Sequence, residues 1–177
     1  GAEDDAPPLD PSSCIIPKLP RWEPKAIGGA SGAEFMYFED LLPELPNDDW
    51  HKEQMPLASR GRVICCSMRK GGSSTLGLRF REAHKFAIHM VAVHRPDGAV
   101  IRALLDGQLL PLADAGGSDN RPGETELKLY SPRSTRLLSL GFEPRDLTPG
   151  IHELTFECLQ PGHMGLEYLW LTQVEGD

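Results

Sequence analysis

From Glu34 onward the chain alternates apolar and polar residues with a period of two, in short runs broken by Gly, Pro, Asn and Asp. That period is the mark of half-buried strands. In "PGIHELTFECL", Ile151, Glu153, Thr155 and Glu157 alternate with His152, Leu154, Phe156 and Cys158. In "KFAIHMVAVHR", Phe86, Ile88, Met90 and Ala92 share one face. The same pattern recurs in "EFMYFED", "GRVICCSMR", "STLGLRFR", "AVIRALLDGQLLPL", "TELKLYS", "TRLLSLGF" and "MGLEYLWLTQV". Asp106-Gly107 predicts a type I′ hairpin, which needs positive φ at both positions. Pro149-Gly150 predicts a turn ahead of its strand, with His152 capping or packing there. "RKGGSSTLG" lacks the order of a phosphate loop and reads as a hairpin from Lys70 to Thr75. "FEDLLPELP" permits one helical turn at most, because Pro43 and Pro46 interrupt it. About nine short strands with little helix predict an all-β fold, a two-layer antiparallel β-sandwich. Residues 1–33, rich in Pro and Gly, read as an extended N-terminal tail, and 34–177 as the sandwich domain.

Three phrases fall in a particular order. "ALLDGQLL" sets an Asp-Gly hairpin between two strands. "LLSLGFEPRDLTPGIHELTFECL" places a Leu-Gly strand before a Pro-Gly-X-His turn. "GHMGLEYLWLTQV" closes on a Gly-Leu-acid-Tyr-Leu strand. Over residues 34–174 this resembles the galactose-binding-like jelly roll of carbohydrate-binding modules and glycosidase accessory domains. The resemblance implies a secreted, non-catalytic module that holds a glycan or polysaccharide through loop residues. Fold alone does not fix function. The alternative is a protein-interaction or structural module of an exported assembly, working with a protein partner or as a homodimer. A small glycoside hydrolase or lyase is a third reading, and it needs two acids facing across a cleft.

Charge narrows the partners. The 177 residues carry a formal net charge of -8 and a pI of about 5.2, which disfavours nucleic acid and anionic membranes. No apolar run is long enough to span a bilayer. "AEDDAPP" reads as a mature N-terminus after signal removal, so a secreted, periplasmic or cell-surface location is expected. Cys14, Cys65, Cys66 and Cys158 fit neither a zinc spacing nor a CxxC pair. Adjacent on a strand, Cys65 and Cys66 point to opposite faces, one to the core and one partly exposed. The exposed one can pair with Cys14 in an oxidising compartment; otherwise all four are free thiols.

Sugar rings stack on aromatic faces while their hydroxyls need fixed polar partners. By resemblance, the segment "LPNDDWHKEQMP" is the expected binding loop, with Trp50 as platform among Asn47, Asp48, Asp49, His51, Lys52 and Gln54. A second polar loop, "ADAGGSDNRPGE", offers Asp114, Asp119, Asn120 and Arg121. Trp170 reads as core or sheet surface. The resemblance further implies a structural calcium, with Glu39 and Glu167 at the matching positions. None of the six histidines forms HExxH or another metal-ligand spacing, so a transition-metal site is not expected.

Overall fold

The computed structural model describes residues 14–15, 33–41, 50–80 and 83–174. Its strands are β1 (Cys14–Ile15), β2 (Ala33–Tyr37), β3 (Trp50–Gln54), β4 (Arg62–Met68), β5 (Ser73–Phe80), β6 (His84–His94) and β7 (Val100–Leu105). There follow β8 (Gln108–Leu109), β9 (Leu112–Asp114), β10 (Leu127–Lys128), β11 (Arg136–Phe142), β12 (Arg145–Leu147), β13 (Gly150–Gln160) and β14 (Gly162–Gln173). A single helical turn, α1 (Phe38–Leu41), follows β2.

Two sheets face each other. One holds six strands in the order β1-β5-β13-β7-β10, with β8 paired to β7. The other holds eight in the order β3-β4-β14-β6-β11-β9, with β12 on β6 and β2 on β14. Pairing is antiparallel except between β1 and β5. The long strands β13 and β14 lie inside their sheets, and each sends alternate residues inward. Leu154, Phe156 and Cys158 meet Leu166, Leu169 and Leu171 in one continuous core. Phe38 of α1 is fully buried at its margin, with its ring centroid 6.4 Å from that of Phe156. Burying such side chains stabilises the fold by about 1.5–3 kcal/mol each.

The all-β sandwich agrees with the period-two pattern. Fourteen strands replace the expected nine among the described residues. The excess comes from two- and three-residue strands and from partners that share one long strand. Both β11 and β12 pair with β6, and both β4 and β2 pair with β14. Asp106 and Gly107 have φ of 51° and 81°, as the hairpin requires.

The expected hairpin from Lys70 to Thr75 is not one. β4 and β5 belong to different sheets, so the turn carries the chain across the sandwich. Backbone bonds between Gly71 and Cys158 and between Cys158 and Gly72 tie that crossing to β13. Cys65 and Cys66 do point to opposite faces, yet both are buried. Cys65 is covered because Met55 and Ala58 fold over the outer face beside Val63 and Val93. β1, which carries Cys14, belongs to the other sheet. Of the expected tail, 1–33, only residues 14–15 and 33 are described.

Candidate functional site

The outer face of the eight-stranded sheet carries the side chains that the core does not use. Along β14, Leu169 and Leu171 point inward, so Tyr168, Trp170 and Thr172 point outward. Register places Tyr37 of β2 opposite Tyr168, and His89 of β6 opposite Trp170. The four rings form a row. Tyr37 and Tyr168 meet edge to face at 5.7 Å, Tyr168 and Trp170 lie 5.7 Å apart, and His89 stacks on Trp170 at 4.7 Å. All four are half-buried. Thr172 Oγ1 sits 3.2 Å from His89 Nε2, and the Arg60 guanidinium lies 3.6 Å over the Tyr37 ring. A row of rings bordered by hydroxyls and a cation suits a flat ligand with apolar faces and polar edges.

A β-bulge at Glu167 makes the row possible. The register of β14 against β6 shifts between Leu166 and Tyr168. One extra residue there turns the next side chains outward. At the same point β14 exchanges β4 for β2 as its neighbour. The β3–β4 loop, residues 55–61, fills the junction. Its Ser59 donates from the backbone N–H (2.5 Å) and from the hydroxyl (2.8 Å) to Glu167 Oε2.

The residues expected to bind ligand are placed differently. Asn47, Asp48 and Asp49 lie outside the described residues. Trp50 is no platform: it begins β3, is 3% exposed, and packs into the core. Its indole N–H has no hydrogen-bond partner among the described residues. The polar residues of this segment hide a strand whose single inward anchor is Trp50. His51, Lys52 and Gln54 are exposed along β3, at the edge of the sheet. Asn120 is 6% exposed and structural. Its Oδ1 accepts from the Lys128 N–H at 2.8 Å, and its Nδ2 donates to the Lys128 carbonyl at 3.2 Å. That pair pins the 115–126 loop to β10. Arg121 is exposed. A cavity of about 350 Å³ opens beside this loop, lined by Gly123, Glu124, Thr125, Glu126 and Lys128.

Glu39 and Glu167 do not suit a calcium ion. Calcium needs six to eight oxygens around it. Both Glu39 oxygens are already taken: Oε1 by Arg62 Nε at 2.8 Å, and Oε2 by Arg60 Nη1 at 2.6 Å. Arg60 also pairs with Asp40 at 3.2 Å. A divalent cation on Glu39 would sit against two guanidinium groups. Burial raises the Glu39 carboxyl, but the two arginines outweigh it and hold it below its ordinary value.

No protein-family model matches the sequence, and no curated protein matches it. Among solved structures, the GH26-CBM35 β-(1,4)-mannanase of Podospora anserina superposes with a TM-score of 0.56 at 9% identity. The match covers 84% of this chain and 29% of that one. The C-terminal CBM6 of LamC, a marine laminarinase from Zobellia galactanivorans, gives a TM-score of 0.43 at 15% identity. It covers 71% of this chain and 90% of that chain. CsCBM6-3 from Clostridium stercorarium gives 0.42 at 15% identity, over 72% and 85%. At such identities the likeness concerns fold alone, and the fold of this chain is a two-layer antiparallel β-sandwich.

Proposed function

We propose that the domain is a secreted, non-catalytic carbohydrate-binding module that lays a glycan along the Tyr37–Tyr168–Trp170–His89 row. The row carries the reading. Tyr168 and Trp170 offer ring surface where alternation alone requires only polar residues, and Thr172, Arg60 and Ser59 flank it with polar groups. Exposed His51, Lys52 and Gln54 on the edge strand extend the same sheet. A hydrolase is disfavoured by the state of Glu53. Arg95 and His163 hold it, and its carboxyl lies below its ordinary value. A general acid needs the opposite shift.

Affinity electrophoresis through soluble polysaccharides, with a glycan array, tests the site. Trp170→Ala is expected to remove about 1–2 kcal/mol of binding, roughly a tenfold rise in Kd. Arg121→Ala, on the 115–126 loop, is expected to bind as wild type. Equal retardation of wild type and Trp170→Ala moves the site elsewhere. The second reading, a protein-docking module, is favoured by Leu57, which is 69% exposed at the 55–61 loop. It gains ground if no glycan binds.

A further inference from the structure

On the outer face of the eight-stranded sheet, a different set of side chains converges. His51 and Glu53 are two apart on β3 and share its outer side. Register sets His51 directly opposite Cys65 of β4. His51, Glu53 and Cys65 each offer one ligand atom, and these atoms all lie within 4.8 Å of one another. His51 Nε2 is 3.5 Å from Glu53 Oε1. His163 Nε2, on β14, is 3.3 Å from that same oxygen. Neighbouring ligand atoms of a tetrahedral zinc ion stand roughly 3.3–3.8 Å apart, given its bond lengths.

We infer that His51, Glu53 and Cys65 form a binding site for a zinc-like divalent cation, with His163 holding the Glu53 carboxylate. Three features support this beyond proximity. The Glu53 carboxylate is oriented, since Arg95 Nη1 holds Oε2 at 2.8 Å and leaves Oε1 toward the two histidines. His163 is 8% exposed, and its Nδ1 has no hydrogen-bond partner among the described residues. A buried imidazole left with an unpaired ring nitrogen is costly, so its other contact matters. Room for that ring comes from Gly165, where an added Cβ would stand 2.8 Å from His163 Cε1 and 2.7 Å from Val93 Cγ2.

The donor set fits the chemistry. A thiolate, an imidazole and a carboxylate suit zinc rather than calcium or magnesium. Charge balances as well. Thiolate, Glu53 and Asp97, which pairs with Arg95 at 2.5 Å, offset a divalent cation and Arg95. On binding, the Cys65 S–H bond breaks, a sulfur–metal bond forms, and one proton passes to the solvent. The approach is from the side of His51, whose side chain is 49% exposed. Spacing along the chain does not show the site, because strand pairing brings the ligands together.

The test uses the untagged, metal-stripped full chain titrated with Co²⁺ and then Zn²⁺. Wild type is expected to take up cobalt with a thiolate-to-cobalt charge-transfer band, which zinc abolishes. Cys65→Ser is expected to lose the band. His51→Gln, an exposed change checked for folding by circular dichroism, is expected to weaken cobalt binding about tenfold or more. The inference is overturned if wild type shows no such band, if the band persists in Cys65→Ser, or if folded His51→Gln binds as wild type. Should Cys65→Ser not fold, His51→Gln alone decides. Glycan binding at the aromatic row is a separate readout, so the two proposals fail independently.

Discussion

Both ring nitrogens of His152 face acceptors: Asp106 Oδ2 at 2.5 Å from Nδ1, and the Thr148 carbonyl at 2.7 Å from Nε2. Only the doubly protonated ring donates to both. Burial lowers the His152 pKa, but Asp106 and the Thr148 carbonyl outweigh it, so the net shift is upward. The ring also meets Phe80 edge to face at 5.5 Å. One side chain thus joins the Asp106-Gly107 hairpin to the Pro149-Gly150 turn. Because the folded pKa exceeds the unfolded one, this stabilisation is complete below the unfolded value and fades as pH rises through the folded value. His152→Gln is expected to cost about 1–2 kcal/mol at about pH 5.5 and less at about pH 9. Urea unfolding at both pH values measures it, and an equal cost at both refutes the charged ring. Glu39 runs the other way. Its folded pKa is lowered, so its contribution is present above the unfolded value and disappears as pH falls through the folded one. Glu39→Gln is expected to cost about 1–3 kcal/mol at neutral pH. Adding calcium to metal-stripped wild type is expected to leave its melting midpoint unchanged, whereas a rise would restore a calcium site there.

At the level of elements, the long inner strands and the Asp106-Gly107 turn were legible, whereas the sheet edges and the Lys70–Thr75 crossing were not. Alternation in "IHELTFECL" marked β13 because it buries one face and wets or half-buries the other, whereas in β6 Ala87, Val91 and Val93 are buried on the second face as well. Alternation in "EYLWLTQ" likewise separates Leu169 and Leu171 from Tyr168, Trp170 and Thr172, so the row was present in the sequence. What hid it was composition: an aromatic residue satisfies a core position as well as a surface one. β3 was illegible for the converse reason. Its residues after Trp50 are polar because an edge strand carries few inward contacts. The Glu167 bulge left no signal, since one extra residue changes facing without changing residue type. Close approaches are equally silent. At Gly98 an added Cβ would lie 1.6 Å from the Leu129 carbonyl oxygen, a backbone atom with no freedom to turn aside. The Arg95–Asp97 corner bonds there to the 129–131 segment, through Arg95 N–H to Leu129 O and Ser131 N–H to Arg95 O. Gly98→Ala is expected to destabilise by about 3 kcal/mol. A midpoint in urea close to that of wild type would show that the two segments separate easily.

For the whole molecule, the two-layer fold followed from periodicity, because a sandwich core needs only one inward face from each strand. The site did not follow, because it depends on which strands become neighbours, and register is set by contacts far apart in the chain. The same distant contacts set the response to acid. His94 is 1% exposed, with neither ring nitrogen hydrogen-bonded among the described residues. Burial lowers its pKa and the nearby Arg136 adds to the shift, while the Ala92 backbone and Asp119 pull the other way without reversing it. His89 is lowered too, by burial against Trp170 and despite the pull of Asp114. A folded pKa below the unfolded value of 6.5 means that the unfolded chain takes up the proton first. Stability is therefore full above that value and declines as pH falls from it through the folded pKa. His163 is lowered as well, by burial and by the nearby Arg95. His152 does not oppose the decline, because its contribution is already complete below the unfolded value, so three lowered histidines set the loss. The unfolding free energy is expected to begin falling near pH 6.5, with a slope of about 1.4 kcal/mol per pH unit for each net proton. Ordinary carboxylates titrate about two units lower, so they do not account for a fall that starts there. His94→Gln is expected to flatten the slope between about pH 6.5 and 5 by up to one proton, whatever it does to stability at neutral pH. An unchanged slope would mean that His94 takes up its proton as readily in the folded chain as in the unfolded one, and that its burial is relieved before the chain unfolds.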